Sequence, residues 1–377
     1  MKKIVIIPDS FKGTMSSSEI CSVMKQKIAE IFPCAEVVAI PVADGGEGSV
    51  DCFLSAVGGE KVYAECSGPY GERIEGFYAL LKDGKTAVIE MAVAAGLPMV
   101  ENRKNPLLTT TYGVGELIKH ALERGAKKII LALGGSCTND FGCGASCALG
   151  VEFFDKDGNS FVPTGGTLER VERINLENKT ELLSGVEMTV MCDIDNPPYG
   201  KSGASFVFAP QKGADEKTVK LLDDGVKNLC KVIKRDFNKD LSALKGGGAA
   251  GAMGAGMNAF FGSPLMMGID TVLQTVGFSE IISSADLVFT GEGKIDAQSL
   301  GGKVVIGVAR ECKKQAVPVV AVVGGAEGDL AKAYDEGVTA IFTINRLPVD
   351  LSISKHHSRE NLAFSMENIL RLLKNSK

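Results

Sequence analysis

Short apolar runs alternate along this chain with longer amphipathic stretches. Residues 4–7, 37–42, 188–191 and 287–289 are rich in Val, Ile, Leu and Met, and each is too short to read as a helix. Unbroken apolar runs of this length predict strands buried on both faces, as in a parallel sheet. The N-terminal third predicts a strand at 3–8, a helix near 16–31, a strand at 36–42, a helix at 47–57 and a strand at 61–65. Ser16-Ser17-Ser18-Glu19 carries a capping-box pattern that fixes where the first helix starts. Residues 73–81 and 85–91, separated by Asp83-Gly84, predict an antiparallel hairpin. Further on come a helix at 113–124, a strand at 128–133, strands at 188–192 and 205–208, and a charged helix at 215–234. Residues 153–185 read as a polar peripheral insertion. From 285 the opening rhythm returns, with strands at 286–290, 317–323 and 339–344 between helices at 302–314, 329–336 and 358–373.

This order predicts an α/β protein of two domains. A doubly wound, mostly parallel sheet of flavodoxin or Rossmann type would be built from residues 1–66 and 290–377, with a mixed α/β domain, 67–289, inserted between. The active site is expected in the cleft between the domains. Residues 246–269 are uncharged and long enough to span a bilayer, but their eight glycines, Asn258 and Pro264 favour a buried glycine-rich loop and helix.

A length of 377 residues suits two domains, and 45 glycines exceed the usual share of about 7%. The net charge of −5 argues against nucleic acid as a partner, while leaving room for a small anion met by a few lysines. Ten cysteines and no export signal suggest a reducing cytoplasm; no membrane association is expected, and a homo-oligomer stays open. Cys137, Cys143 and Cys147 match no zinc spacing and read as packing thiols.

Acidic residues recur just beyond the predicted strands: Asp9, Asp44, Asp193 and Glu292. Ligands of open α/β sheets bind beyond the carboxyl ends of the strands, where loop water and cations can solvate a carboxylate. In Asp9-Ser10-Phe11-Lys12-Gly13, Lys12 can meet the charge of a small polar acid and Asp9 its hydroxyls, although a capped turn would look the same. Ala43-Asp44-Gly45-Gly46-Glu47-Gly48 offers backbone N–H groups to an anion at a helix start, and its two acids then call for a divalent cation or a hydroxyl donor. Gly134-Gly135-Ser136-Cys137-Thr138-Asn139-Asp140 is a candidate phosphate nest. Asp193-Ile194-Asp195-Asn196 and Gly291-Glu292-Gly293-Lys294-Ile295-Asp296 have the acid spacing of hard-cation ligands, or of Asx turns. No Walker A loop is present, because Ala79 and Asp195 stand where its first glycine is required.

These blocks, with Pro210-Gln211-Lys212-Gly213-Ala214, resemble in order and spacing the motif series of bacterial class I glycerate kinases over nearly the whole chain. Cys137 replaces the usual alanine of that series, and Lys294 the commoner arginine. The resemblance implies ATP-dependent phosphorylation of D-glycerate to 2-phosphoglycerate, with Mg²⁺. For such a reaction the residues themselves suggest Lys12, Lys303, Asp9 and Ser10 on glycerate, Asp193 or Asp44 as proton acceptor with Lys12 beside the chemistry, and Asp195, Glu292 and Asp296 on the metal. Gly45, Gly46, Gly134, Gly135, Ser136, Thr138 and Asn139 would hold ATP phosphates. The 3-phosphate as product, or a non-catalytic sensor of sugar acids or nucleotides, are the competing readings.

Overall fold

The structure, a computed structural model, describes residues 1–42, 48–296 and 299–375. The chain divides into two compact units. One comprises Met1–Asp44, Ser55–Val57 and Met267–Lys377; the other comprises Gly45–Leu54 and Gly58–Met266.

The first unit holds five parallel strands in the spatial order Val338–Thr343, Val319–Val323, Leu287–Gly291, Lys3–Pro8, Glu36–Ala39. Numbered along the chain, this is the 2-1-3-4-5 order of flavodoxin-like sheets, whose topological switch point lies between the first and third strands. Ile4, Ile6, Leu287 and Phe289 pack on helices Ser17–Ile31 and Ser358–Asn375. The opposite face is also buried, with Val5, Ile7 and Val288 inaccessible and helix Val304–Lys314 packed on the sheet. Two buried faces explain why the three central strands read as unbroken apolar runs. Helix Ser17–Ile31 starts where its capping box predicts, with Ser16 Oγ accepting from the Glu19 amide and Glu19 accepting from Ser16 N.

The second unit has a six-stranded mixed sheet in the order Leu265–Met266, Glu187–Met191, Lys128–Ala132, Thr86–Glu90, Arg73–Leu81, Gly59–Ser67. The first four strands run parallel, and the last two join antiparallel, so the predicted hairpin is present. Strand Gly59–Ser67 belongs here and not in the first sheet, where the opening rhythm places it. It pairs along nine residues with Arg73–Leu81, and its exposed Tyr63 and Glu65 alternate with inward Val62 and Cys66. That alternation marks a strand with one wet face, unlike its parallel neighbours. Helix Gly268–Thr275, which the sequence assigns to the inserted domain, falls within the first unit, where its Ile269 side chain lies against Gly307 of helix Val304–Lys314.

Two further expectations change. Residues 205–208 form part of a helix, Ala204–Phe208, not a strand; an apolar run that short carries no usable period. The 153–185 region is not merely peripheral. Phe153, Leu168, Val171 and Ile174 form a core with helix Glu216–Phe237, and a three-stranded sheet orders Ser160–Phe161, Glu152–Phe154 and Arg173–Asn175. The glycine-rich stretch is the buried helix Ala249–Phe261. Among the described residues no helix is long and apolar enough to cross a membrane.

Candidate active site

At the switch point of the first unit, register aligns Pro8 with Gly291, so Asp9 and Glu292 each stand one residue past a strand end. The Asp9 amide donates to Gly291 O at 2.8 Å, which continues the ladder and holds the two loops together. The Ser17 hydroxyl donates to Pro8 O and accepts from the Val42 amide, tying the first helix to the ends of the first two strands. Between these anchors Phe11 and Met15 are buried and bridge each other, while Gly13 takes φ +77°, leaving Lys12 exposed at the turn. A Cβ on Gly291 would sit 2.1 Å from Val322 O, so the backbones pass too closely for any side chain there.

Asp9 and Glu292 are both buried. Burial pushes the Glu292 carboxyl up to about 7; Asp9 and Asp296 push the same way, while Ser299 and Lys303 oppose them. Its Oε1 is buried and accepts no hydrogen bond. Half-buried Asp296 caps the next turn by accepting from the Ser299 amide, and Lys303 stands at the N-cap of helix Val304–Lys314. Lys294 pairs with Glu327 and lies 3.6 Å from Asp296. Asp9, Ser10, Glu292, Asp296 and Lys303 thus gather within one unit as the strand-end rule anticipates, with Lys12 at the rim.

In the second unit, parallel register sets Glu90, Ala132 and Met191 side by side, so the loops leaving three adjacent strands emerge together. The central one is the 134–140 loop. Gly135 takes φ +76° and is exposed, while Ser136, Cys137, Thr138, Asn139 and Asp140 are buried. Asp140 shapes the loop: its carboxylate accepts from Thr111 N, Thr111 Oγ1, Gly142 N and Gly144 N at 2.8 to 3.3 Å. Burial pushes its carboxyl upward, against these donors. Asn139 donates to Ser205 Oγ, while Asn139 Oδ1 and Thr138 Oγ1 are buried without partners.

The glycine-rich helix presses on this loop from behind. Gly251 O accepts from Phe141 N, and a Cβ on Gly251 would lie 2.2 Å from Thr138 O. The approach is achieved by a left-handed turn, Ala250-Gly251-Ala252, with φ of +52°, +65° and +69°. Alanine there costs on the order of 1 kcal/mol per residue, a strain of the kind that functional loops retain.

Lys212, only 2% exposed, enters the loop from Pro210-Gln211-Lys212. Its Nζ donates at 2.7 Å to both Ser136 Oγ and Thr138 O. Burial pulls its pKa down to about 8, partly offset by Cys137 and Asp140. Glu90, also buried, accepts from the Gly48 and Val50 amides at the start of helix Ser49–Val57.

Asp193 is half-buried beyond Glu187–Met191, and its charge adds to the burial that pushes the Cys192 thiol up to about 11. Asp195 is exposed and 3.9 Å from Lys245, in the other unit from Glu292 and Asp296, so no single unit assembles the proposed metal trio. Asp44, Gly45 and Gly46 lie outside the described residues. Cys137, Cys143 and Cys147 have thiols pushed up by burial and, among the described residues, belong to no metal-binding group.

Sequence reasoning assigned no role to Lys212, Asp140, Thr111 or Glu90. Glu90 ends an apolar strand, as the other strand-end acids do, so its signal was present. Lys212 belongs to the Pro210–Ala214 block, but nothing in its neighbours announces burial.

A family model described as the glycerate kinase family matches residues 4–374. A glycerate kinase of Bacillus cereus (strain ATCC 10987 / NRS 248) is 42% identical over 373 residues, 99% of this chain and 98% of its own. A glycerate 2-kinase of Escherichia coli (strain K12) is 41% identical over 372 residues, 98% of each chain. A crystal structure assigned to a glycerate kinase 2 from Salmonella typhimurium LT2 superposes with a TM-score of 0.87 at 40% identity, covering 100% of this chain and 99% of that one. Matches of this depth from one end to the other show that the chain belongs to the glycerate kinase family.

Proposed function

We propose that the chain transfers the γ-phosphoryl group of ATP to the C2 hydroxyl of D-glycerate, releasing ADP and 2-phosphoglycerate. Membership in the family makes it a kinase with an alcohol acceptor; the name of the Escherichia coli relative favours the 2-hydroxyl. The observation that carries the reading is the buried acid pair, Asp9 and Glu292, at the switch point of a flavodoxin-like sheet.

Phosphoryl transfer asks for positioning and charge neutralisation more than for covalent chemistry. Lys12 and Lys303 supply ammonium groups for the glycerate carboxylate, and Asp9 and Ser10 supply partners for its hydroxyls. The 134–139 loop receives the ATP phosphates. Asp193 accepts the proton of the attacking hydroxyl. One observation favours a second acceptor: the Glu292 carboxyl, at about 7, is half ionised near neutrality, as a general base should be.

The residues present also fit Mg²⁺. Glu292 Oε1 is buried and accepts no hydrogen bond, and the charges of Asp9 and Asp296 repel its own, as a site for a hard cation would show. Mg²⁺ takes one or two carboxylates and fills its remaining positions with water and phosphate oxygens, so with Asp193 as the proton acceptor Glu292 and Asp296 suffice on the protein side; if Glu292 is the acceptor, it is not the ligand. When bound, it would neutralise phosphate charge.

Incubating the protein with Mg-ATP and D-glycerate, with ADP release and phosphorus NMR as readouts, tests the proposal. Glycerate-dependent ADP with phosphate on C2 is expected. Phosphate on C3 would keep the kinase and change the product. Saturable binding of either compound without turnover would replace the kinase with a sensor.

A further inference from the structure

Lys212 is a buried ammonium with no carboxylate in direct contact; the buried Asp140 reaches it only through its charge. Its two acceptors, Ser136 Oγ and Thr138 O, are both neutral, and among the described residues it forms no ion pair. An ammonium has three donors, so one N–H is left over. Burying a charge with neutral partners alone costs several kcal/mol, and the same residue is far cheaper at the surface. The four donors on Asp140 and the close approach of Gly251 hold the loop around it, and Thr138 Oγ1 and Asn139 Oδ1 are left buried without partners. A buried cation in a rigid glycine loop, with one donor left over and Asp140 already taken by four other donors, is half of an ion pair.

We infer that Lys212 is the positive charge that makes the 134–139 loop a nucleoside polyphosphate site, acting through Ser136. By donating to Ser136 Oγ, the ammonium takes up the hydroxyl's acceptor side and turns its proton outward, toward a phosphoryl oxygen. Lys212 is therefore a positioning residue, and the loop's anion affinity comes from it and not from the glycines alone. The inference rests on the proposed kinase reading and adds a residue to it.

The charged or titratable groups bearing on Lys212 are Cys137 and Asp140; the first is a neutral thiol below about 12. Bound polyphosphate adds negative charge beside the ammonium and raises its proton affinity, so binding above pH 8 takes up a proton.

The test is calorimetric titration of the intact protein with ADP at pH 8.5, in two buffers of different ionisation enthalpy. The wild-type protein should take up about 0.7 proton, since a group of pKa near 8 is mostly neutral at that pH. Lys212→Met should bind ADP about 10- to 100-fold more weakly at pH 7.5, the range for a lost charge-assisted hydrogen bond, and take up no proton. Zero uptake in the wild-type protein, or unchanged ADP affinity in a folded Lys212→Met, overturns the inference. The wild-type uptake needs no variant and so does not depend on how the substitution folds. Glycerate-dependent ADP release by the wild-type protein, measured alongside, tests the kinase reading separately.

Discussion

The burial of Lys212 should be visible in stability as well as binding. Its pKa falls from 10.5 to about 8 on folding, which at about 1.4 kcal/mol per pH unit amounts to a penalty of about 3 kcal/mol for keeping the folded state charged. The sign is fixed by proton counting. Below pH 8 both states hold the proton and the penalty is full. Between pH 8 and 10.5 the unfolded chain holds it and the folded chain does not, so stability rises with pH; above 10.5 the penalty is gone. Replacing Lys212 by Met removes the charge at similar volume but strands Thr138 O, a loss of about 1–3 kcal/mol, so the net change at one pH is not diagnostic. The pH dependence is. From pH 7 to pH 9 the wild-type protein should gain about 1 kcal/mol on Lys212→Met, because only the wild type sheds a proton there. The chain has no tryptophan, and of its six tyrosines only Tyr334 lies in the first unit. Urea unfolding followed by tyrosine fluorescence therefore reports mainly the unit that contains Lys212. Curves for the two proteins that keep a constant separation over this pH range would refute the argument.

Three other outcomes are expected. Asp193→Asn should lower kcat by about 10²- to 10⁴-fold with little change in KM for glycerate, the range for a lost general base; steady-state kinetics retaining near-wild-type kcat would leave Glu292 as the acceptor. Gly251→Ala should destabilise the second unit by about 2 kcal/mol or more, since its Cβ would meet Thr138 O at 2.2 Å, whereas Ala252→Gly, at φ +69°, should stabilise it by up to about 1 kcal/mol. Both are measured by the same urea unfolding. Ser16→Ala should cost about 1 kcal/mol by removing the cap of helix Ser17–Ile31, read as a lower midpoint for the first unit in far-UV circular dichroism.

The three central strands of the first sheet were legible because both faces are buried, which leaves hydrophobicity unbroken in runs such as 4–7. The acids beyond them were legible for the same reason: a charge directly after such a run can only belong to the loop at the strand's end. Strand Gly59–Ser67 was assigned to the wrong unit because rhythm was weighed above its own alternation of wet and buried residues. Lys212 was invisible as a buried residue, since a lysine between glutamine and glycine looks like any surface turn. Only the fold brings Ser136 and Thr138 to it. The left-handed turn at Ala250–Ala252 was equally hidden, because alanine beside glycine normally predicts an unstrained helix.

The strand order of the first unit also has a consequence in time. Strand Lys3–Pro8 finds its central partner only in Leu287–Gly291. At about 5–20 residues per second, a ribosome takes roughly 15 to 60 s to make the intervening chain. For most of that interval the segment from Ile4 to Ile7 is outside the exit tunnel without the neighbour that will cover it. The second unit, whose last residue is Met266, is complete before that partner strand is made. Biogenesis is thus staged, with the inserted unit able to fold on the ribosome and the outer one waiting for the C-terminal quarter of the chain. Chaperone demand and the damage done by premature termination should both concentrate on the outer unit.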